Sequence, residues 1–240
     1  MSGHSKWSQI KRQKEKTDIK RGLTFTKLAN AITIAVRQGG EITDPSQNFR
    51  LRLAIDMARA SNMPKVNIDR AIQRGVKKGE GDIQEVVYEG FAPGGVLLII
   101  EAATDNPQRT ISEIKSIFNK AGASFGQPGS VSYQFAQMGQ IVINKNGKSF
   151  EEIFEMALDL GAEDIGETEK KVIVYTKVED LSRVRDNLLE KKLNVEDARL
   201  IRKPNVQVEV GGEQLGKIKN FLETINSLDD VQKVYSNLKQ

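Results

Sequence analysis

Lysine and arginine are the residues whose spacing in this chain points to chemistry. Lys6, Lys11, Arg12, Lys14, Lys16, Lys20 and Arg21 crowd the start of the sequence, with Glu15 and Asp18 the only acids among them. Cations this close cannot each have a carboxylate, and a phosphate backbone laid beside them relieves their repulsion and releases counterions. Arginine adds a planar fork that fits phosphate oxygens or a guanine edge. Trp7 lies inside the run and has two readings: stacking on an exposed base, or anchoring the run on neighbouring helices. Lys27, Arg37, Arg50, Arg52, Lys65, Arg70 and Arg74 extend the basic character.

That character belongs to one third of the chain. Residues 1–80 hold 17 Lys or Arg against 7 Asp or Glu, a net of +10, whereas residues 81–240 hold 19 against 25, a net of −6. Such asymmetry implies a polyanionic partner for the first third.

Catalysis finds little material. His4 is the single histidine and there is no cysteine, so His-rich zinc sites and thiol nucleophiles are excluded, and His4 itself stands in the arm, where a catalytic base is poorly positioned. Asp159, Glu163, Asp164, Glu167 and Glu169 read as a solvated acidic loop and not as a Mg²⁺ site. Gly94-Gly95 and Gly126-Gln127-Pro128-Gly129 lack the lysine of a phosphate-cradling loop and read as turns. The expectation is a binding protein with no catalytic residue, metal, cofactor or small-molecule substrate. The longest strongly apolar run, Val96 to Ile100, is far short of the roughly 20 residues that cross a bilayer. No apolar stretch of signal-peptide length follows the basic start. A cytoplasmic monomer without a membrane partner is expected.

The elements that position these residues follow from periodicity. Residues 1–24 read as a basic arm. A helix is predicted from a Thr24 cap, with Phe25, Leu28, Ala29, Ile32, Ala35 and Val36 on one face and a stop at Gly39-Gly40. A second helix is predicted from Asp44-Pro45, with the stripe Phe49, Leu53, Met57 and Ala60. A third runs from Pro64 to Arg74 and ends at Gly75. The last two make a weak helix-turn-helix signal, and phosphate-dominated shape recognition is favoured over base reading.

After the polar linker at 77–81 the period changes. Strands are predicted at 86–91, 96–103 and 131–135, with a helix from Pro107 to Gly122 capped by Asp105 or Asn106. Strand 140–143, helix 150–160, a short strand at Ile165, strand 171–175, helix 178–189 and strand 195–201 follow. This is the split βαβ order. Strand 206–210, helix 215–225 and strand 231–235 close the chain. The expected architecture is α+β and multidomain: a basic arm plus three-helix domain (1–80), then two ferredoxin-like α/β domains, with 137–204 inserted into a unit made of 82–136 and 205–240.

Gly3-His4-Ser5-Lys6-Trp7, Lys20-Arg21, Phe25-Thr26-Lys27-Leu28, Asn62-Met63-Pro64, Tyr88-Glu89-Gly90-Phe91-Ala92-Pro93-Gly94-Gly95-Val96, Thr104-Asp105-Asn106-Pro107-Gln108-Arg109-Thr110 and Gly129-Ser130-Val131-Ser132-Tyr133-Gln134-Phe135 together resemble the YebC/PmpR family over essentially the whole chain. The resemblance implies a helical domain and two α/β domains, no catalytic residues, and a role as a DNA-binding transcriptional regulator. It also leaves open translation: a mitochondrial relative activates synthesis of cytochrome c oxidase subunit I, and some bacterial members are linked to ribosomes. It nominates Lys6, Trp7, Lys11, Lys20, Arg21 and Lys27 for nucleic-acid binding. Arg12, Lys14, Lys16, Arg50, Arg52, Lys65 and Arg70 join them on charge. Pro93, Gly94, Gly95, Asp105 and Asn106 are a candidate partner interface. Promoter DNA, structured RNA on the ribosome, and a protein scaffold built on the acidic units are the three targets left open.

Overall fold

The computed structural model describes residues 3–77 and 82–239, and their side chains from Arg21 onward. Three helices come first: α1 (Gly3–Gln38), α2 (Phe49–Ala60) and α3 (Lys65–Val76). The expected arm is helical backbone, continuous with the rest of α1, and Thr24 is interior to that helix instead of standing at its start. Sequence periodicity placed the start where apolar residues begin to recur. The preceding Lys, Arg, Gln and Glu are themselves good helix formers, and the helix propagates through them.

Asp44 caps a single turn and not α2: its carboxylate accepts from the Ser46 amide at 2.9 Å. Asn48 is the cap, accepting from the Leu51 amide at 3.0 Å and donating to the Ala35 carbonyl at 2.9 Å. Gly39 lies against that side chain, where a Cβ would sit 2.1 Å from the Asn48 amide nitrogen. Gly75 does not end α3. It lies in the last turn of the helix, and α1 passes so close that a Cβ there would lie 2.6 Å from that of Val36.

Leu28, Ile32, Val36, Leu51, Ile55, Ala58 and Ile68 form the bundle core. The stripe predicted for α2, which Ile55 and Ala58 widen, divides between two cores, and Met57 stays with the bundle. Leu51, Ala54, Ile55 and Ala58 enter the bundle, whereas Leu53 is buried in the core of a different unit, with Phe49 beside it.

The next sheet contains β1 (Gln84–Ala92) and β2 (Val96–Thr104), then α4 (Pro107–Ala121) and β3 (Ser124–Phe125). Asn106 caps α4 through the Arg109 amide, and Gly122 ends it at φ 65°. The strand expected at 131–135 is absent. Glu89 accepts from the amides of Gly129 and Ser132 at 2.8 and 3.0 Å, and from that of Val131, so these groups have no strand to pair with. The chain curls through a 3₁₀ turn at Ser132–Gln134, and β4 (Phe135–Asn144) then starts a second sheet, five residues before the predicted start.

That sheet continues with α5 (Phe150–Asp159), β5 (Asp164–Glu167), β6 (Lys171–Thr176), α6 (Leu181–Glu190) and β7 (Asn194–Pro204). Ser149 and Glu152 form a reciprocal capping box on α5. The strand order β5-β6-β4-β7, antiparallel throughout, is that of a ferredoxin-like sheet. Helix α6 begins three residues later than predicted, after a turn in which the Asp180 amide bonds the Lys177 carbonyl.

Finally α7 (Gly212–Asn226) and β8 (Val231–Ser236) return to the first sheet, whose order is β3-β1-β2-β8. Residues 206–210 form no strand. Val208 alone bridges to Leu238, and Val206 is left exposed. Ile114 and Phe118 of α4, Phe221 and Ile225 of α7, and Leu98, Ile100 and Val231 of the sheet share one core. Deleting 205–240 is therefore expected to unfold 82–136, since β2 loses an edge partner and α4 its neighbour. Unchanged cooperative melting of the truncated chain contradicts this.

No helix among the described residues is long and apolar enough to cross a membrane.

Candidate nucleic-acid interface

The backbone of α1 carries Lys6, Trp7, Lys11, Arg12, Lys14, Lys16 and Lys20, whose side chains lie outside the described residues. Those that follow divide into engaged and free. Lys27 is engaged. Its half-buried ammonium donates to the Asn226 carbonyl at the C-terminal end of α7, where a helix presents partial negative charge. Burial pushes its pKa down, and nearby Asp229 partly opposes this. The residue ties α1 to α7.

Arg52 is likewise occupied. It bonds Ser182 at 2.7 Å and Asp186 at 3.0 Å on α6, and lies over the Phe49 ring. Arg185 of α6 reaches back to Asp56 at 3.3 Å, and its guanidinium lies 5.8 Å from the centroid of the same phenylalanine ring. Together with Leu53, these contacts clamp α2 onto the second sheet's unit. Arg37 pairs with Asp82 at 2.7 Å and donates to the Ile83 carbonyl.

All five arginines of residues 82–239 take part in ion pairs. In the helical domain Arg50, Arg59, Arg70 and Arg74 make none with described residues, and Lys65 is exposed without one at the start of α3. Arg50 donates to Gln38, an uncharged partner. Arg21 covers the Phe25 ring at 5.3 Å. Arg59 was missed from sequence, where it reads as part of an ordinary helix end.

Asn67, Arg70 and Arg74 border a groove between α1 and α3. Its apolar wall was legible only as part of a helical stripe. The one signal pointing to it was the Arg21–Phe25 spacing of one helical turn.

The nominated turn residues have structural roles. Gly94 and Gly95 adopt φ 80° and 75°, values that favour glycine, in the exposed β1–β2 turn after Pro93. Asn106 caps α4. Asp105 and Asp230 both hold Arg109, at 3.1 and 2.9 Å, and Asp230 also accepts from Thr104 and Thr110 at 3.0 and 2.6 Å. Burial raises the Asp230 carboxyl, but these hydrogen bonds outweigh it and bring it below the usual range. The segment 104–110 thus locks β8's entry turn to α4. Tyr133, missed as a surface residue because strand alternation pointed it inward, is exposed.

Among the described residues no cluster of three His, Cys, Asp or Glu is placed to hold a metal.

Two family models cover nearly all of the chain: the TACO1/YebC protein N-terminal domain matches residues 5–78, and the TACO1/YebC second and third domain matches residues 83–238. A "Probable transcriptional regulatory protein" of Roseiflexus castenholzii is 48% identical, over all of this chain and 95% of that one. One of Chloroflexus aggregans with the same description is 46% identical, over 99% of this chain and 95% of its own length. The crystal structure of a conserved hypothetical protein from Aquifex aeolicus superposes with a TM-score of 0.83 at 40% identity, over 91% of this chain and 90% of that one. With both models matched in order and relatives aligned end to end, this chain belongs to the TACO1/YebC family.

Proposed function

We propose that this protein is a nucleic-acid-binding regulator that docks through its helical domain. The observation that carries this is the contrast in arginine pairing. Arginines of the α/β units are neutralised by carboxylates, while Arg59, Arg70 and Arg74 of the helical domain are left for an external polyanion, beside the basic first half of α1. The relatives' description as transcriptional regulators makes DNA the first target.

Backbone and shape, more than base edges, set the binding. A helix-turn-helix reader needs its first helix free to cross the DNA backbone. Here α2 is held between the bundle and α6 by Leu53, Arg52–Asp186 and Arg185–Asp56. The same clamp favours a second reading, structured RNA, because duplex RNA is bound by phosphate and shape contacts.

Replacing Lys11, Arg12, Lys14 and Lys16 together by glutamine in the full chain tests the assignment. Affinity for duplex DNA and duplex RNA is expected to fall by a similar factor. The slope of log affinity against log salt should drop by roughly 3, since each phosphate that is no longer neutralised removes about 0.7 to 0.9. Fluorescence anisotropy at three salt concentrations reads both quantities. An unchanged affinity and slope would exclude the first half of α1 from the interface.

A further inference from the structure

The groove between α1 and α3 is an open depression of about 230 Å³. Phe25, Ala29, Met63 and Ala71 give it an apolar floor and walls, and Asn67, Arg70 and Arg74 stand at its rim. We propose that it holds a single unpaired nucleotide, with the base inside against Phe25 and its phosphate on Arg70 and Arg74. The inference rests on the reading of the helical domain as nucleic-acid-binding.

Four features point to this ligand. A space of about 230 Å³ suits one planar ring system. The Arg21 guanidinium lies 5.3 Å from the Phe25 centroid, an aromatic and guanidinium pair of the kind on which unstacked bases rest. The half-buried Asn67 carboxamide makes no hydrogen bond to a described residue, and it carries both donors and an acceptor for a base edge. Arg70 and Arg74, one helical turn apart, have no ion pair among the described residues.

Thr33 closes the bottom. Its buried hydroxyl faces the carbonyls of Ala29 and Ala71, each at 3.0 Å, so it is already satisfied and sets the depth of the groove. The recognising chemistry is a base face and edge with an adjacent phosphate. A bulge in folded RNA and a single-stranded DNA segment both supply it.

The test uses the full chain and four hairpin probes: RNA with one bulged 2-aminopurine, the same RNA fully paired, and the DNA counterparts of each. Bulged probes are expected to bind about 5- to 150-fold more tightly than paired ones, the range of one base–aromatic stack. The 2-aminopurine emission should change at saturation as the base leaves its helical neighbours. Comparing the RNA and DNA pairs identifies which source supplies the nucleotide. Ala29→Leu, which fills the groove, is expected to bring the bulged probe down to the affinity of the paired one.

Because that substitution also presses on α1–α3 packing, the unaltered protein is crosslinked in parallel to a hairpin with 4-thiouridine at the bulge. The linked peptide should contain Phe25 or Asn67. Equal affinity for bulged and paired probes, or crosslinks confined to other segments, overturns the site and leaves duplex binding standing. Failure of every probe to bind overturns the nucleic-acid reading and the site with it.

Discussion

Glu89→Ala is expected to cost about 3–6 kcal/mol of stability, a large share of what holds a typical domain together. Glu89 is 5% exposed, and its carboxylate accepts from the backbone amides of Gly129, Val131 and Ser132. Its own carbonyl accepts from Gly126 at 2.8 Å. Truncation leaves three donors without this partner. The Val131 amide is buried, where an unsatisfied group costs about 1–3 kcal/mol, and those of Gly129 and Ser132 are partly buried and cost less each. The turn they hold is the passage from β3 into β4, so the second sheet's attachment should loosen with it. Urea unfolding followed by circular dichroism gives the number. A loss under about 1 kcal/mol would mean that water replaces the carboxylate.

Burial pushes the Glu89 carboxyl up, but the amides of Gly129, Val131 and Ser132 outweigh it and hold the group below the ordinary glutamate value. The sign of the pH dependence follows. A carboxyl depressed in the folded state contributes fully above its unfolded pKa of about 4.3, and the contribution is lost as pH falls through the lower folded value. Glu89→Gln, which cannot titrate, should flatten the acid limb of the stability profile in that window. An acid limb identical to that of the unaltered protein contradicts this assignment.

Gly75→Val is expected to destabilise the helical domain by about 3 kcal/mol and to weaken nucleic-acid binding with it. A Cβ at this position would lie 2.6 Å from the Val36 Cβ and 3.0 Å from the Thr33 carbonyl oxygen. A branched side chain must force α3 away from α1, and overpacking of this kind typically costs about 1–3 kcal/mol, occasionally more. The groove bordered by Arg70 and Arg74 spans the same two helices, so its width changes as well. Gly22→Ala is the control. A Cβ at Gly22 meets nothing within 4 Å, and alanine in a helix interior is better than glycine by about 1 kcal/mol. Denaturation and anisotropy titrations on both variants separate the outcomes. Retention of both stability and affinity by Gly75→Val would show that α3 can shift without consequence.

Much of the fold was legible because its determinants are local. Asn106 with Pro107 and Gly122 bracket α4, and two left-handed glycines turn β1 into β2. Each acts through backbone groups a few residues away, so spacing alone reveals it. The three-helix domain followed by two α/β units was likewise readable, from the switch between periods of 3.6 and 2. The basic third of the chain and the scarcity of catalytic side chains are properties of composition.

Tertiary structure decided what periodicity and charge cannot distinguish. An apolar stripe records burial without saying against what, so Leu53 read as bundle core although it packs in the neighbouring unit. Val131, Tyr133 and Phe135 alternate like a strand, yet Glu89, some forty positions earlier, takes the amides a strand would have used. Lys27 and Arg52 looked as free as Arg70 because a cation's partner is set by the chain's path. Asn226 and Asp186, both more than a hundred residues away, occupy the first two. The sequence by itself therefore determined which third of the protein carries the excess positive charge. Only the tertiary structure decided which of those charges remain available, since availability depends on long-range contacts that residue spacing does not encode.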